Sequence, residues 1–264
     1  MNRVIPGVLL AGGWFLLLFL GSPQLLWGVV AGGAAIALHE YFRMTCASLV
    51  GARLWATIAC CLLPVLCAFA GASDAVLAGV IGSLLIVVAI ALHGYAAIPD
   101  VFRYVSCSGF ASLYISLCLA YVVLIRFLPQ GPLWLTLLVA VVAGSDTGAY
   151  YAGRAFGRRK LFPQISPKKT VAGGVGGLAA GMVAAEIVNL LFPVKAHPGV
   201  LLLAAGLLIV VGIAGDLTES MIKRSVGVKD SGTILFGHGG LLDRIDSLLL
   251  TAPVLYCLLR FGVL

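Results

Sequence analysis

The stretch VLAGVIGSLLIVVAIALHGYAA, Val76 to Ala97, decides the fold class, for it contains no Asp, Glu, Lys or Arg. A helix rises about 1.5 Å per residue, so a run of this length covers the roughly 30 Å of a bilayer's hydrocarbon core. Backbone groups in hydrocarbon must be satisfied within the segment, which selects helices, and the alternating pattern of a membrane barrel strand is absent. Working outward from this run, similar spans can be drawn at about 4–21, 24–41, 55–71, 76–97, 109–128, 132–153, 172–193, 199–220 and 243–262. The whole chain agrees, being 61% hydrophobic and 10% charged with a mean hydropathy of +1.11. Soluble domains carry about a quarter charged residues. The sequence therefore predicts an all-α, polytopic integral membrane protein with about nine transmembrane helices.

The N-terminal MNRVIPGVLLAGGWFLLLFLG has the look of a signal peptide, but its apolar core is long and no small-x-small cleavage site follows. It reads as a retained first helix. Lys and Arg concentrate in cytoplasmic loops. With the N-terminus cytoplasmic, the inner loops hold 14 of the 17 basic residues and the outer side keeps Arg126, Lys195 and Arg260. The acids Glu40, Asp100, Asp146, Asp216, Glu219, Asp230, Asp243 and Asp246 fall at or near the same inner surface. That face is thus a mixed polar site rather than a purely basic belt. The seven cysteines lie mostly in apolar runs without a CxxC pair, and read as small buried hydrophobes.

Three polar constellations interrupt the apolar pattern. In GIAGDLTESMIKR, Asp216, Glu219, Ser220 and Lys223 recur at i, i+3, i+4 and i+7, so one helix face carries them. A solvated helix end would look similar. Asp216, however, lies two residues beyond an apolar stretch, where an ionised carboxylate needs a partner such as a divalent cation. In GHGGLLDRIDS, residues 237 to 247, a glycine turn opens a helix with Asp243, Asp246 and Ser247 on one face. Early acids can simply complement the helix dipole. Alternatively, amides freed by Gly239 and Gly240 attract phosphate, and the carboxylates behind them hold Mg²⁺ together with substrate phosphates. His238 sits in that turn. The third piece, GSDTGAYYAGRAFGRRKLFPQISPKKTVAGGVGG, residues 144 to 177, places Asp146 and Tyr150 on one helix face. A basic loop follows, in which Lys168 and Lys169 can bind phosphate by charge-assisted hydrogen bonds. Arg158, Arg159 and Lys160 equally suit simple anchoring. Gly173 and Gly177 suit close helix packing, and no phosphate-binding Walker A motif is present. Together these residues describe an inward-facing site with acids for a metal and bases for phosphates. Such a site suits an anionic lipid reacting with a soluble phosphate compound.

The run SMIKRSVGVKDSGTILFGHGGLLDRID closely resembles the signature of phosphatidate cytidylyltransferases, also called CDP-diacylglycerol synthases. Its fixed positions here are Ser220, Lys223, Arg224, Lys229, Asp230, His238, Gly239, Gly240, Asp243, Arg244 and Asp246. SDTGAYYAGRAFG and SPKKT also resemble segments of that family. The resemblance covers about the last 120 residues; the first four spans match only in being apolar. Phe236 stands where the family usually has Pro or Gly, and Ala172 where it commonly has Glu.

The resemblance implies transfer of CMP from CTP to phosphatidate, giving CDP-diacylglycerol and pyrophosphate, with Mg²⁺ required and room for a second cation. It assigns Asp216 and Asp243 to the metal, with Asp246 as third choice. Lys223, Arg224, Lys229 and Arg244 would clamp phosphates, assisted by Lys168 and Lys169. Ser220 and His238 would position substrate, Gly239 and Gly240 would hold phosphate, and Asp230 completes the catalytic motif. One transmembrane domain, 1–264, is expected, with helices 1–128 as scaffold and lipid access and 132–264 carrying the motifs. The implied setting is the cytoplasmic membrane with the site on its cytoplasmic side, with no nucleic acid and with a homodimer compatible with the family. A CTP-dependent lipid or polyprenol kinase is the nearest enzymatic rival. A transporter is the rival from another class, with Glu186 and Asn189 in the seventh span as its best support.

Overall fold

The computed structural model describes the backbone of residues 4–11 and the complete residues 12–192, 196–232 and 239–264. Helix α1 (Val4–Phe19) is followed by α2 (Pro23–Thr45), whose N-cap Ser22 accepts from the Leu25 amide at 3.1 Å. Next come α3 (Gly51–Cys61) and α4 (Leu63–Cys67), bent by 40° to each other. Pro64 explains the bend, because it offers no N–H to continue the ladder from α3. Helix α5 (Ser73–His93) precedes α6 (Val101–Ala111), which Asp100 caps. A π-helical turn, Ser112–Leu117, carries α6 into α7 (Cys118–Phe127). The C-terminal half consists of α8 (Gly131–Phe156), α9 (Val171–Leu191), α10 (Pro198–Ser225) and α11 (Leu242–Arg260).

Helices thus occupy each of the expected stretches. Six are long and apolar enough to cross a membrane, or seven if the bent α3–α4 pair is one span, among the described residues. Helix α1 has only 16 residues, and α11 opens with Asp243, Arg244 and Asp246. The surface is inverted relative to a soluble protein. Leu190 and Leu203 are 83% and 78% exposed, while the interior keeps small and polar groups such as Ala34, Thr57 and Ser108. An apolar outer face suits lipid. This is an α-helical polytopic membrane protein.

The all-α expectation needs one amendment. Part of the basic loop expected after α8 is a two-stranded antiparallel hairpin, β1 (Lys160–Phe162) and β2 (Ser166–Thr170), pairing Lys160 with Thr170 and Phe162 with Ser166. The turn between the strands contains Pro163, and the Ile165 amide donates to the Phe162 carbonyl at 3.3 Å. Thr170 ends β2 and caps α9, its Oγ1 accepting from the Gly173 amide at 3.1 Å. Helices α8 and α9 then pack antiparallel at backbone distance. A Cβ added at Gly173, Gly177 or Gly181 would stand 3.0, 2.9 or 2.9 Å from the carbonyl oxygens of Ala149, Ser145 and Val141. The expected role of Gly173 and Gly177 in close helix packing is what the structure shows.

Bonds between helix ends gather the polar residues at one end of the bundle. Arg103 on α6 reaches Thr45 at the end of α2, and Arg53 on α3 reaches Ala97 beyond α5. Glu40 on α2 reaches the start of α11, and Lys169 on β2 reaches Asp216 on α10. At the opposite end, Arg126 donates to the Gly21 carbonyl at 3.0 Å. There too the Asn189 amide exchanges hydrogen bonds with the Ala196 backbone.

Candidate functional site

A cavity of about 250 Å³ opens between α8, α9, α10 and the hairpin. Asp146 and Tyr150 reach it from α8, Lys168 and Lys169 from β2, Gly173 and Gly174 from the first turn of α9, and Asp216 from α10. Each side chain has a local reason to be there. Asp146 and Tyr150 are one turn apart on α8, and Thr170, by capping α9, sets the two lysines against its N-terminus. Lys169 Nζ lies 2.6 Å from Asp216 Oδ2, and Ser220 Oγ donates to Asp216 Oδ1 at 3.3 Å. Lys168 is exposed to the cavity. Asp246 lies close enough to Asp216 and Asp146 to feel their charges, and it accepts the Ser247 amide at 2.6 Å.

One turn further along α10 is a second cluster. Lys223 Nζ stands 2.5 Å from both Glu219 Oε2 and Asp243 Oδ1. Glu219 is 1% exposed. Asp243 Oδ2 accepts from the Ser231 amide at 3.0 Å and from the Gly240 amide at 2.9 Å. The acids and bases that one helix face predicted on α10 therefore divide: Asp216 and Ser220 serve the cavity, while Glu219 and Lys223 join Asp243 of α11.

The N-terminal amides of α11 are the largest departure from expectation. Sequence reasoning offered the amides around Gly239 and Gly240 to a substrate phosphate. In the structure the Gly240 amide goes to Asp243, and those of Leu241 and Leu242 go to Glu40 at 3.0 and 2.9 Å. Carboxylates of the chain itself fill the place an anion would take at this helix start. Glu40, 2% exposed on α2, also accepts from Ser231 Oγ at 3.3 Å. It explains the glycines: a Cβ at Gly240 would stand 2.6 Å from Glu40 Oε2, and one at Gly232 2.6 Å from Glu40 Oε1. Gly239 has a φ of +82°, a left-handed conformation in which a side chain is strained. Sequence reasoning placed Glu40 near the polar surface without giving it a role. Its signal was the one acid of α2, beside His39 and three residues before Arg43.

The remaining motif residues are less gathered. Arg224, Lys229, Asp230 and Arg244 are exposed, and Arg224 Nη1 donates to the Val228 carbonyl at 3.3 Å. His238 and Phe236 lie outside the described residues. Glu186 of α9 accepts from Asn189 Nδ2 at 3.5 Å, a contact within its own helix.

Among the described residues no group of three or more His, Cys, Asp or Glu side chains is arranged for a metal. Mg²⁺ asks for less, taking one or two carboxylates and keeping waters and substrate phosphates. The chemistry of the donor set fits such a cation. Asp146 and Asp216 line the cavity with Asp246 close by, and Asp243 lies in the adjoining cluster. Asp216 and Asp243 each already pair with a lysine ammonium.

The arrangement sets ammonium groups and carboxylates around one open cavity, the charges that ion-assisted phosphate chemistry uses. The chain is 46% identical over 150 residues to a phosphatidate cytidylyltransferase of Bacillus subtilis (strain 168), covering 56% of each chain. It is 50% identical over 136 residues to a phosphatidate cytidylyltransferase of Pseudomonas aeruginosa, covering 50% of each. It is 47% identical over 133 residues to an uncharacterized Escherichia coli (strain K12) protein, YnbB, covering 50% of this chain and 44% of that one. The chain thus spans about half the length of these relatives. A family model matches residues 1–262, nearly the whole chain, and on that match the protein belongs to the cytidylyltransferase family.

Proposed function

We propose that the protein transfers CMP from CTP to phosphatidate, forming CDP-diacylglycerol and releasing pyrophosphate. The observation that carries this reading is the cavity that sets Lys168 and Lys169 opposite Asp146 and Asp216 at the polar end of the bundle. The lipid phosphate oxygen attacks the α-phosphorus of CTP, and the bond to the β-phosphate oxygen breaks. A phosphate monoester is already largely dianionic at neutral pH, so no general base is required. The protein's tasks are alignment and charge neutralisation. Lys168 and Lys169, with the first turn of α9 behind them, bind phosphate oxygens. Lys223, Arg224, Lys229 and Arg244 neutralise the pyrophosphate side, with Asp230, Ser220 and His238 orienting substrate.

Asp216 and Asp243 are the carboxylates proposed to hold Mg²⁺, with Asp246 beside Asp216, and the proposal admits a second cation. When bound, the ion supplies electrophilic assistance and a template for the phosphates. A span count of nine, a cytoplasmic N-terminus and a site on the cytoplasmic face of the inner membrane complete the proposal. The basic residues on the polar end support it, because Lys and Arg favour the cytoplasmic side. A homodimer is compatible with it.

The test is CTP-dependent conversion of phosphatidate by purified protein in liposomes, with both products identified. CDP-diacylglycerol and pyrophosphate are expected, with turnover lost on chelation by EDTA and regained with Mg²⁺. Release of CDP with a phosphorylated lipid would instead assign the protein to the kinases. Ion or solute flux without CTP turnover would assign it to the transporters.

A further inference from the structure

A second cavity, of about 340 Å³, shares no lining residue with the first. It lies between the α2–α3 turn and the α5–α6 turn, where four helix ends meet. Two guanidinium groups face it. Arg53 Nη1 donates to the Ala97 carbonyl at 3.0 Å, and Arg103 Nε donates to the Thr45 carbonyl at 3.0 Å. Among the described residues neither forms an ion pair. A guanidinium has five N–H donors, so each arginine is fixed by one bond and keeps the others for a ligand. The cavity's single acid, Asp100, caps α6 by accepting the Arg103 amide at 2.8 Å. Two positive groups against one negative leave the cavity cationic.

Arginines that serve only to anchor a topology need no fixed partner. These two are instead held on backbone carbonyls across the turns, so much of the entropy of ordering them is already lost before a ligand arrives. The depth of the cavity is marked independently. Trp55, Tyr95 and Phe102, each within three residues in sequence of a lining residue, are 61%, 70% and 84% exposed. Exposed aromatics at helix ends sit at the headgroup level of a bilayer, and basic pockets between helices at that level suit acidic headgroups.

We propose that this cavity is a binding site for the phosphate of an anionic membrane lipid, clamped between Arg53 and Arg103. Arginine matches phosphate through paired N–H donors, and the exposed aromatics of the adjoining helix ends mark headgroup depth. The site stands apart from the transfer reaction proposed above and does not rest on it.

The test measures phosphatidylglycerol binding to the intact, detergent-purified protein by native mass spectrometry, with phosphatidylcholine as the neutral control. Wild-type protein is expected to retain phosphatidylglycerol in preference to phosphatidylcholine. Arg53→Gln/Arg103→Gln should weaken the tight binding step roughly 25-fold, a factor of about five for each arginine. Because these arginines also tie the turns together, a second variant, Ala47→Glu/Ser48→Glu, places acids at two exposed lining positions and leaves both ties intact. It should abolish the preference without lowering the melting temperature. Lys168→Gln/Lys169→Gln, which alters the first cavity, should leave the tight step unchanged. Unaltered phosphatidylglycerol binding in the Ala47→Glu/Ser48→Glu protein would overturn the proposal. So would loss of the tight step in the Lys168→Gln/Lys169→Gln protein. Competition by millimolar inorganic phosphate as effective as that by lipid would make this a soluble-phosphate site and overturn the lipid assignment.

Discussion

Replacing Glu40 with Ala removes the acceptor on which the start of α11 rests. The Leu241 and Leu242 amides, at 3.0 and 2.9 Å from its two oxygens, lose their partner, and so does the Ser231 hydroxyl. A buried donor left without an acceptor costs about 1–3 kcal/mol. Two such amides give a cost of about 2–6 kcal/mol, comparable with much of the roughly 5–15 kcal/mol by which a domain is folded. Even the low end, about 2 kcal/mol, corresponds to a roughly 30-fold shift in the equilibrium between closed and locally opened states. Amide hydrogen exchange followed by mass spectrometry in detergent reads this directly. The peptide containing Leu241 and Leu242 should exchange at least about 30-fold faster in Glu40→Ala, while the α8–α9 pair keeps wild-type protection. Glu40→Gln retains one acceptor oxygen and should fall between the two. CDP-diacylglycerol formation should decline in the same order, because Asp243, which meets Lys223 of α10, is set by that helix start. Wild-type protection of Leu241 and Leu242 in a folded Glu40→Ala protein would refute the reasoning.

Asp216→Asn and Asp243→Asn should both abolish CMP transfer while differing in stability. The first breaks a partly exposed ion pair with Lys169, worth about 1 kcal/mol or less. The second also weakens the acceptor for the Ser231 and Gly240 amides and should lower the melting temperature clearly. Near-normal turnover of either variant with Mg²⁺ would remove its carboxylate from the proposed metal set. Gly240→Ala drives a Cβ against Ser231 Oγ and to 2.6 Å from Glu40 Oε2, so a loss of about 1–3 kcal/mol is expected in thermal unfolding. Gly177→Val pushes a branched side chain onto the Ser145 carbonyl, which a Cβ alone would approach to 2.9 Å. It should prise α8 from α9 and cost both monodisperse protein on gel filtration and activity, since Asp146 and Lys168 lie on opposite sides of that seam.

Much of this architecture was legible because hydrocarbon imposes a simple rule on sequence. Uncharged runs became helices, and the polar residues of α10 and α11 stood out against them. Helical spacing correctly brought Asp216 and Ser220 together, and Glu219 with Lys223. The hairpin was less legible. Strands of three and five residues around Pro163 are too short for an alternating pattern to register. Asp146 was noticed for its spacing with Tyr150, but its place in the cavity depends on how α8 packs against α9 and α10. Glu40 was the least legible of all. Its partners lie 201 and 202 residues away along the chain, and no local pattern carries information over such a separation.

The position of Glu40 changes how the two halves of the molecule divide the work. A helix start attracts anions wherever its amides are free. At α11 they are not free, because Glu40 from the N-terminal half and Asp243 from α11 itself already occupy them. In the proposed reaction substrate phosphate is then held elsewhere: the first turn of α9 is another helix start beside the acids, with Gly174 on the cavity wall and Lys168 and Lys169 in front of it. In that proposal the glycine turn before α11 supports the site through the carboxylates its neighbours bind. Its glycines make room for a carboxylate from α2, and that carboxylate fixes the helix from which Asp243 meets Lys223. In the proposed site the N-terminal half therefore contributes Glu40 as an internal anion at the start of α11, and the start of α9 is left for the external one.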